Sequence, residues 1–216
     1  GMMAGITSPS RPWFRLSIPG VDAGDNGPVK VWLDECERRV MRVFAESNYY
    51  TAKATQLMDL TVFGTAPMII YEDFEDVIRC YNPCAGEYFV GSSPRMSIDI
   101  LSREFVYTTR QCVDEFGLEN CTDDIKSAFV RGDGASLTRE VVVQHVIEPN
   151  DDRIGGGLVP RIFPYRECYW VRGSGQHEAL RVKGFMEKPF AAPRWDISGN
   201  DSYGRSPAFD AIGDIK

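Results

Sequence analysis

At Gly64 the chain changes its hydrophobic period, and that change restricts the fold more than any single motif does. Before it, apolar side chains recur at helical spacing. Trp32, Cys36, Val40, Val43 and Phe44 share one face of a helix expected over residues 29–46. Asp25-Asn26-Gly27-Pro28 is its entry signal. Asp34 with Arg38 and Glu35 with Arg39 form acid-first pairs on the solvent side, worth ~0.3 kcal/mol each. Ser47-Asn48 interrupts the pattern and can cap a second helix over residues 49–63, with Tyr50, Ala54, Leu57, Met58 and Thr61 facing the core. Gly64 suits the left-handed position that closes a helix. A connection this short predicts an antiparallel helical hairpin.

After Gly64 the pattern is that of strands. Pro67-Met68-Ile69-Ile70-Tyr71 reads as a buried strand. Residues 77–81 and 87–91 read as strands joined by the turn Asn82-Pro83-Cys84-Ala85-Gly86. Further strands are expected over 97–107 and 139–147, then a hairpin of 167–171 and 179–186 around Gly173-Ser174-Gly175. Short helices interrupt them at 109–116, ended by Gly117, and from the cap Thr122-Asp123-Asp124. Loops are expected at Arg131-Gly132-Asp133-Gly134 and over residues 149–157. Near the start, Trp13-Phe14-Arg15-Leu16-Ser17-Ile18 alternates like a strand. Helices segregated in front of hairpin-linked strands predict an α+β fold. Its expected form is one domain over residues 1–216, an N-terminal antiparallel helical hairpin packed on a mostly antiparallel β-sheet with short inserted helices.

Composition narrows the function classes. The net charge of −7, from 24 basic and 31 acidic residues, argues against a DNA-gripping surface, which needs clustered Lys and Arg. No apolar run reaches the length of a membrane span, and residues 1–19 lack the basic and apolar regions of a signal peptide. Six cysteines (Cys36, Cys80, Cys84, Cys112, Cys121, Cys168) are scattered in the manner of reduced cytosolic residues.

No constellation stands out as catalytic. The two histidines, His145 and His177, sit in a strand and beside a turn, and a nucleophile needs a base and an orienting group together with it. Cys80 and Cys84, flanking the Pro83 turn, lack the second ligand pair of a zinc site. Gly155-Gly156-Gly157 lacks the Lys-Ser/Thr of a phosphate loop, and 202–206 is no nucleophile elbow. The expectation is therefore no catalytic, metal or cofactor residue. The alternative is an α+β hydrolase or nuclease using carboxylates or a cysteine, and the fallback is a generic binding module.

The C-terminal stretch reads as a loop delivering the chain into a helix. Ser206 can cap, Pro207 fits the first helical position, and Phe209 and Ile212 begin an apolar face. That stretch also belongs to an ordered set of segments. They are residues 1–16, including Pro12-Trp13, then Glu46-Ser47-Asn48-Tyr49-Tyr50 and Phe63-Gly64-Thr65-Ala66. Gly86-Glu87-Tyr88-Phe89, Arg103-Glu104-Phe105, Thr108-Thr109-Arg110-Gln111 and Glu115-Phe116-Gly117 follow. Last come Arg194-Trp195 and Tyr203-Gly204-Arg205-Ser206-Pro207 through Asp214-Ile215-Lys216. In this order and spacing the chain resembles the portal (head-to-tail connector) proteins of short-tailed phages and prophages.

The resemblance implies a structural subunit of a ring, commonly twelve-fold, at one capsid vertex. Such a ring is a virion component assembled in the host bacterial cytoplasm. It is the conduit for double-stranded DNA in packaging and ejection, and it meets the capsid, the packaging ATPase and the tail proteins. The similar part is the wing, with residues 207–216 as the start of a stem helix. Pro12, Trp13, Ser47, Asn48, Gly64, Arg194, Trp195, Tyr203, Gly204 and Arg205 carry the motifs. Trp195 and Tyr203 are expected to pin the loop before the stem, and Arg205 to fix it through charge-assisted hydrogen bonds.

Overall fold

A computed structural model describes residues 2–20, 27–151, 162–174 and 179–214. The chain runs through α1 (Met2–Ile6), α2 (Gly27–Glu46), α3 (Tyr49–Phe63), β1 (Met68–Asp73), β2 (Val77–Tyr81), β3 (Tyr88–Ser92) and β4 (Ile98–Thr108). It continues through α4 (Thr109–Phe116), a 3-10 turn at Leu118–Asn120, α5 (Asp123–Arg131), α6 (Gly134–Leu137) and β5 (Glu140–Pro149). The last elements are β6 (Tyr165–Val171), β7 (Arg181–Phe185), β8 (Phe190–Ala191) and α7 (Pro207–Ala211). All described strand pairings are antiparallel, so the fold is α+β with N-terminal helices as expected.

The strands form two sheets rather than one, and the chain divides into two compact units. The first comprises Gly1–Asn82, Phe190–Ile197 and Gly204–Lys216; the second comprises Pro83–Pro189 and Ser198–Tyr203. β2 pairs with β1 and β3 with β4, so residues 82–86 are not a hairpin turn. They carry the chain from one unit into the other, and Cys80 and Cys84 therefore do not flank a hairpin.

In the first unit the sheet order is β2-β1-β8, and Tyr49, Ala52, Met68 and Cys80 form a core cluster. The helix ends lie close to expectation, but the buried faces do not. On α2 only Leu33 is buried, and Trp32 is 61% exposed. The surface available to α2 is narrow: Phe44, near its end, meets Trp13, Phe14 and Tyr49, while Val31, Trp32 and Val40 stay exposed. Arg38 turns to Glu35, not to Asp34, and Arg39 also pairs with Glu35. On α3 the buried residues are Tyr49, Ala52, Gln56, Leu57 and Leu60. The face is offset from the apolar stripe because Gln56 can bury itself against backbone carbonyls, which leaves Met58 66% exposed. Residues 13–18 are not a strand; they are extended backbone outside both sheets. The alternation there arises from aromatic anchors instead.

The second unit holds the sheet β3-β4-β5-β6-β7. Strict alternation along β5 buries Val141, Val143, His145 and Ile147 on one face. Cys112 and Phe116 of α4 and Cys121 and Ile125 pack with Val141, Val143, Tyr169 and Leu180. α4 starts on a capping box: Thr108 Oγ1 accepts from the Gln111 N–H at 3.2 Å and Gln111 Oε1 accepts from the Thr108 N–H at 2.8 Å. Thr122 precedes α5 without a side-chain cap bond. Gly134, expected in a loop, opens the one-turn α6 over 134–137, where the Asp133 carboxylate accepts from the Ser136 N–H at 2.8 Å. The expectations at Asp25-Asn26, 152–157, Gly175 and His177 lie outside the described residues. Among the described residues no helix is long and apolar enough to cross a membrane.

Candidate functional site

Nine of the ten expected motif residues lie in the first unit, and five of them meet around the end of α3. Gly64 adopts φ +75°, and its N–H returns to the Leu60 carbonyl at 3.0 Å, closing the helix. Three segments then meet there, 64–66, 193–196 and 204–206. Thr65 bridges Arg194, and the Trp195 N–H donates to the Gly64 carbonyl at 2.9 Å. The Gly204 N–H donates to Thr65 Oγ1 at 2.7 Å, and the Arg205 N–H to the Asp196 carbonyl at 2.8 Å. Ser206 does not cap α7 with its side chain; its Oγ donates to the Val62 carbonyl at 2.7 Å, satisfying an end of α3 instead.

The two glycines make this crossing possible. A Cβ on Gly64 would stand 2.7 Å from the Gly204 carbonyl carbon and 2.8 Å from the Ser206 nitrogen. One on Gly204 would stand 2.9 Å from Arg194 Cβ and 3.0 Å from the Trp195 nitrogen. All four distances are inside ordinary contact, and the obstacles are mostly backbone that cannot swing away. Trp195 contributes its backbone N–H while its side chain is 46% exposed. Arg205 forms an exposed ion pair with Asp210 of α7, tying the loop to the helix it leads into. Beneath the crossing, fully buried Gln56 donates to the Ala66 carbonyl at 2.8 Å and accepts from Lys53 Nζ at 2.9 Å. Burial lowers the Lys53 pKa. Gln56 was not expected; its signal was its place in the Ala52, Gln56, Leu60 row.

The N-terminal motif residues form a second anchor in the same unit. Trp13 stacks near Phe44 and Tyr49, at centroid distances of 6.0 and 6.3 Å, and its Nε1–H donates to the Tyr50 hydroxyl at 3.2 Å. Pro12 lies exposed just before it. Ser47 Oγ accepts from the Tyr49 N–H at 3.2 Å at the start of α3. Asn48 makes no cap bond with its side chain. Its amide donates to the Cys80 carbonyl and its Oδ1 accepts from the Cys80 N–H, both at 2.8 Å. The side chain thus behaves as a one-residue strand on the outer edge of β2.

Tyr203 lies in the second unit. Its hydroxyl accepts from the Val90 N–H at 3.2 Å, covering the outer edge of β3, and its ring lies 6.4 Å from that of Tyr88. Deeper in this unit runs a polar relay across three strands. Arg103 Nε donates to His145 Nδ1 at 2.9 Å, so that nitrogen carries no proton. His145 Nε2 therefore holds the proton and donates to Glu167 Oε1 at 2.8 Å, which also accepts from the Tyr169 hydroxyl at 2.9 Å. Burial pushes the His145 pKa down despite the pull of Glu167. A histidine oriented by a carboxylate is half of a general-base arrangement. Here His145 is 0% and Glu167 1% exposed, and the ring nitrogen that would take a proton is occupied by Arg103. The relay holds strands together and is closed to substrate.

The thiols point the same way. Burial raises the pKa of Cys80, Cys121 and Cys168, and pushes that of Cys112 up to about 11, so these four stay protonated and poor as nucleophiles at neutral pH. Among the described residues no group of three or more His, Cys, Asp and Glu side chains could hold a metal ion. The recurring device is instead a polar or glycine contact that locks one backbone segment to another.

The family model of the bacteriophage head to tail connecting protein matches residues 1–216. The chain belongs to that family. It is 42% identical over 217 residues to the portal protein of Salmonella phage epsilon15, and 39% identical over 218 residues to the probable portal protein of Bordetella phage BPP-1. Each alignment takes in all of this chain and 38% of the relative, so the chain spans well under half the length of these portal proteins. The family is named for head-to-tail connection, and no observation favours a hydrolase or nuclease. Within this portal chain, the structure brings Gly64, Arg194, Trp195, Gly204 and Arg205 to one crossing, while Pro12, Trp13, Ser47 and Asn48 lie at the helix connection and Tyr203 in the other unit.

Proposed function

We propose that this chain is the wing part of a portal subunit that performs no chemistry and transmits ring geometry. A closed ring of such subunits, dodecameric by family resemblance, would sit at one capsid vertex after assembly in the host bacterial cytoplasm. Double-stranded DNA would pass through it during packaging and ejection without sequence-specific grip, and capsid, packaging ATPase and tail proteins would dock on it. The carrying observation is the alignment of the whole chain to portal proteins at about 40% identity. An acidic surface is compatible with a conduit, because it would not hold the duplex.

In this reading the crossing at Gly64 and Gly204 sets the direction in which the chain leaves at α7. Residues 207–216 would then begin a longer stem helix, its direction inherited from α3 through Ser206 and from the loop through Arg205 and Asp210. Deleting the gene from its phage tests the function: capsids should form but contain no DNA. Capsids filled normally without it would overturn the proposal.

A further inference from the structure

Phe74, at the turn between β1 and β2, is the most exposed large apolar residue described, with its side chain wholly in solvent. The turn that presents it is held firmly. The Asp73 carboxylate accepts from the N–H groups of Glu75 and Asp76 at 2.8 and 2.9 Å, which also lowers its pKa. Val77, 60% exposed, sits at φ +69°, a region β-branched residues rarely adopt. Phe74's sequence neighbours Glu72, Glu75 and Asp76 are exposed as well, with Arg79 the one exposed base nearby. The result is an apolar knob with an acidic collar.

The same unit carries a surface of matching character. Pro9, Pro12 and Met41 line a shallow groove of about 260 Å³ between the N-terminal loop and α2, together with Arg11, Arg38, Asp34 and Glu37. Arg38, Arg39 and Arg42 have their own acidic partners, but their side chains are 75–77% exposed while Glu35 is 34% and Glu46 58% exposed. The guanidinium groups are therefore the outermost charges on this ridge. Exposed pairs of this kind are worth about 0–1 kcal/mol and re-pair readily.

We infer that Phe74 of one copy seats in the Pro9–Pro12–Met41 groove of a neighbouring copy, with the collar carboxylates meeting the arginines of α2. A closed ring needs a heterologous contact, in which two different patches of one subunit meet their complements on its neighbours. Knob and groove are two such patches. The contact is far smaller than the ~1,200 Å² of a stable interface, so it aligns neighbours already held in a ring and does not make a dimer alone. The inference rests on the ring-subunit reading.

The test uses the complete protein that carries this chain, with exposed Cys84 replaced by serine. Rings of Phe74→Cys/Met41→Cys, of each single variant and of the parent are oxidised and run on non-reducing gels. The double variant should give a ladder of cross-linked multimers, and the single variants only monomer. Phe74→Ala should raise the concentration needed for half-assembly by about tenfold, an effect within the range of aromatic contacts. Rings that form normally but give no ladder overturn the knob-in-groove contact and leave the ring reading standing. A parent protein that forms no rings overturns both.

Discussion

Replacing Gly64 with alanine should damage the first unit more than any other single methyl group added to it. Two costs combine at this position. The φ of +75° places an L-residue in the left-handed region, a penalty of roughly 1–2 kcal/mol. The new Cβ would also stand 2.7 Å from the Gly204 carbonyl carbon and 2.8 Å from the Ser206 nitrogen. Relieving that overlap means moving backbone, at about 1–3 kcal/mol for overpacking. The movement would strain the bonds from Gly204 N to Thr65 Oγ1, Trp195 N to Gly64 O and Ser206 Oγ to Val62 O. The expected loss is about 2–5 kcal/mol, a large share of the ~5–15 kcal/mol that holds a domain together. Gly20→Ala is the control: its φ is +78°, but nothing lies within 4 Å of the added carbon. It should cost only the conformational part, roughly 1–2 kcal/mol. Urea unfolding followed by tryptophan fluorescence measures both. A Gly64→Ala loss no greater than that of Gly20→Ala would refute the argument that the crossing excludes a side chain.

Three further outcomes follow from the geometry. The folded pKa of His145 lies below its ordinary value, so the unfolded chain binds the extra proton first as pH falls below about 6.5. Stability is then lost towards the folded pKa at up to ~1.4 kcal/mol per pH unit, and His145→Gln should flatten the fall of the urea midpoint between pH 7 and pH 5; an unchanged slope would contradict this. Asn48→Ala should cost about 1–3 kcal/mol in the same assay, because it leaves the Cys80 N–H and carbonyl at the edge of β2 without their partner. In alkylation read by mass spectrometry at pH 8, Cys84 should react first and Cys112 only on unfolding, since Cys112 is fully buried with its pKa pushed up to about 11.

The legible parts of this fold were those governed by local chemistry. The span 49–63 of α3, the left-handed Gly64, the Thr109–Phe116 helix and the β5 alternation follow from capping and periodicity, which act over a few residues. The parts that were not legible depend on distant partners. Apolar periodicity on α2 suggested a buried face, but no second layer covers Trp32 or Val31 within the unit. Alternation at Trp13–Ile18 imitated a strand because Trp13 and Phe14 are anchors to Phe44, 30 residues or more away in sequence. Asn48 read as a cap, and only the approach of β2 shows that its amide is used at Cys80. The split into two sheets hides behind a Pro-Gly segment that has the composition of a hairpin turn. At the candidate site the residues were legible through resemblance, whereas the Gly64–Gly204 approach requires coordinates.

The central claim is that this chain is a structural part of a portal ring. Electron microscopy of the purified complete protein tests it most directly. The account predicts closed rings of one fixed symmetry with an open central channel. Monomers or irregular aggregates as the sole species at every concentration, from protein that is demonstrably folded, would contradict it.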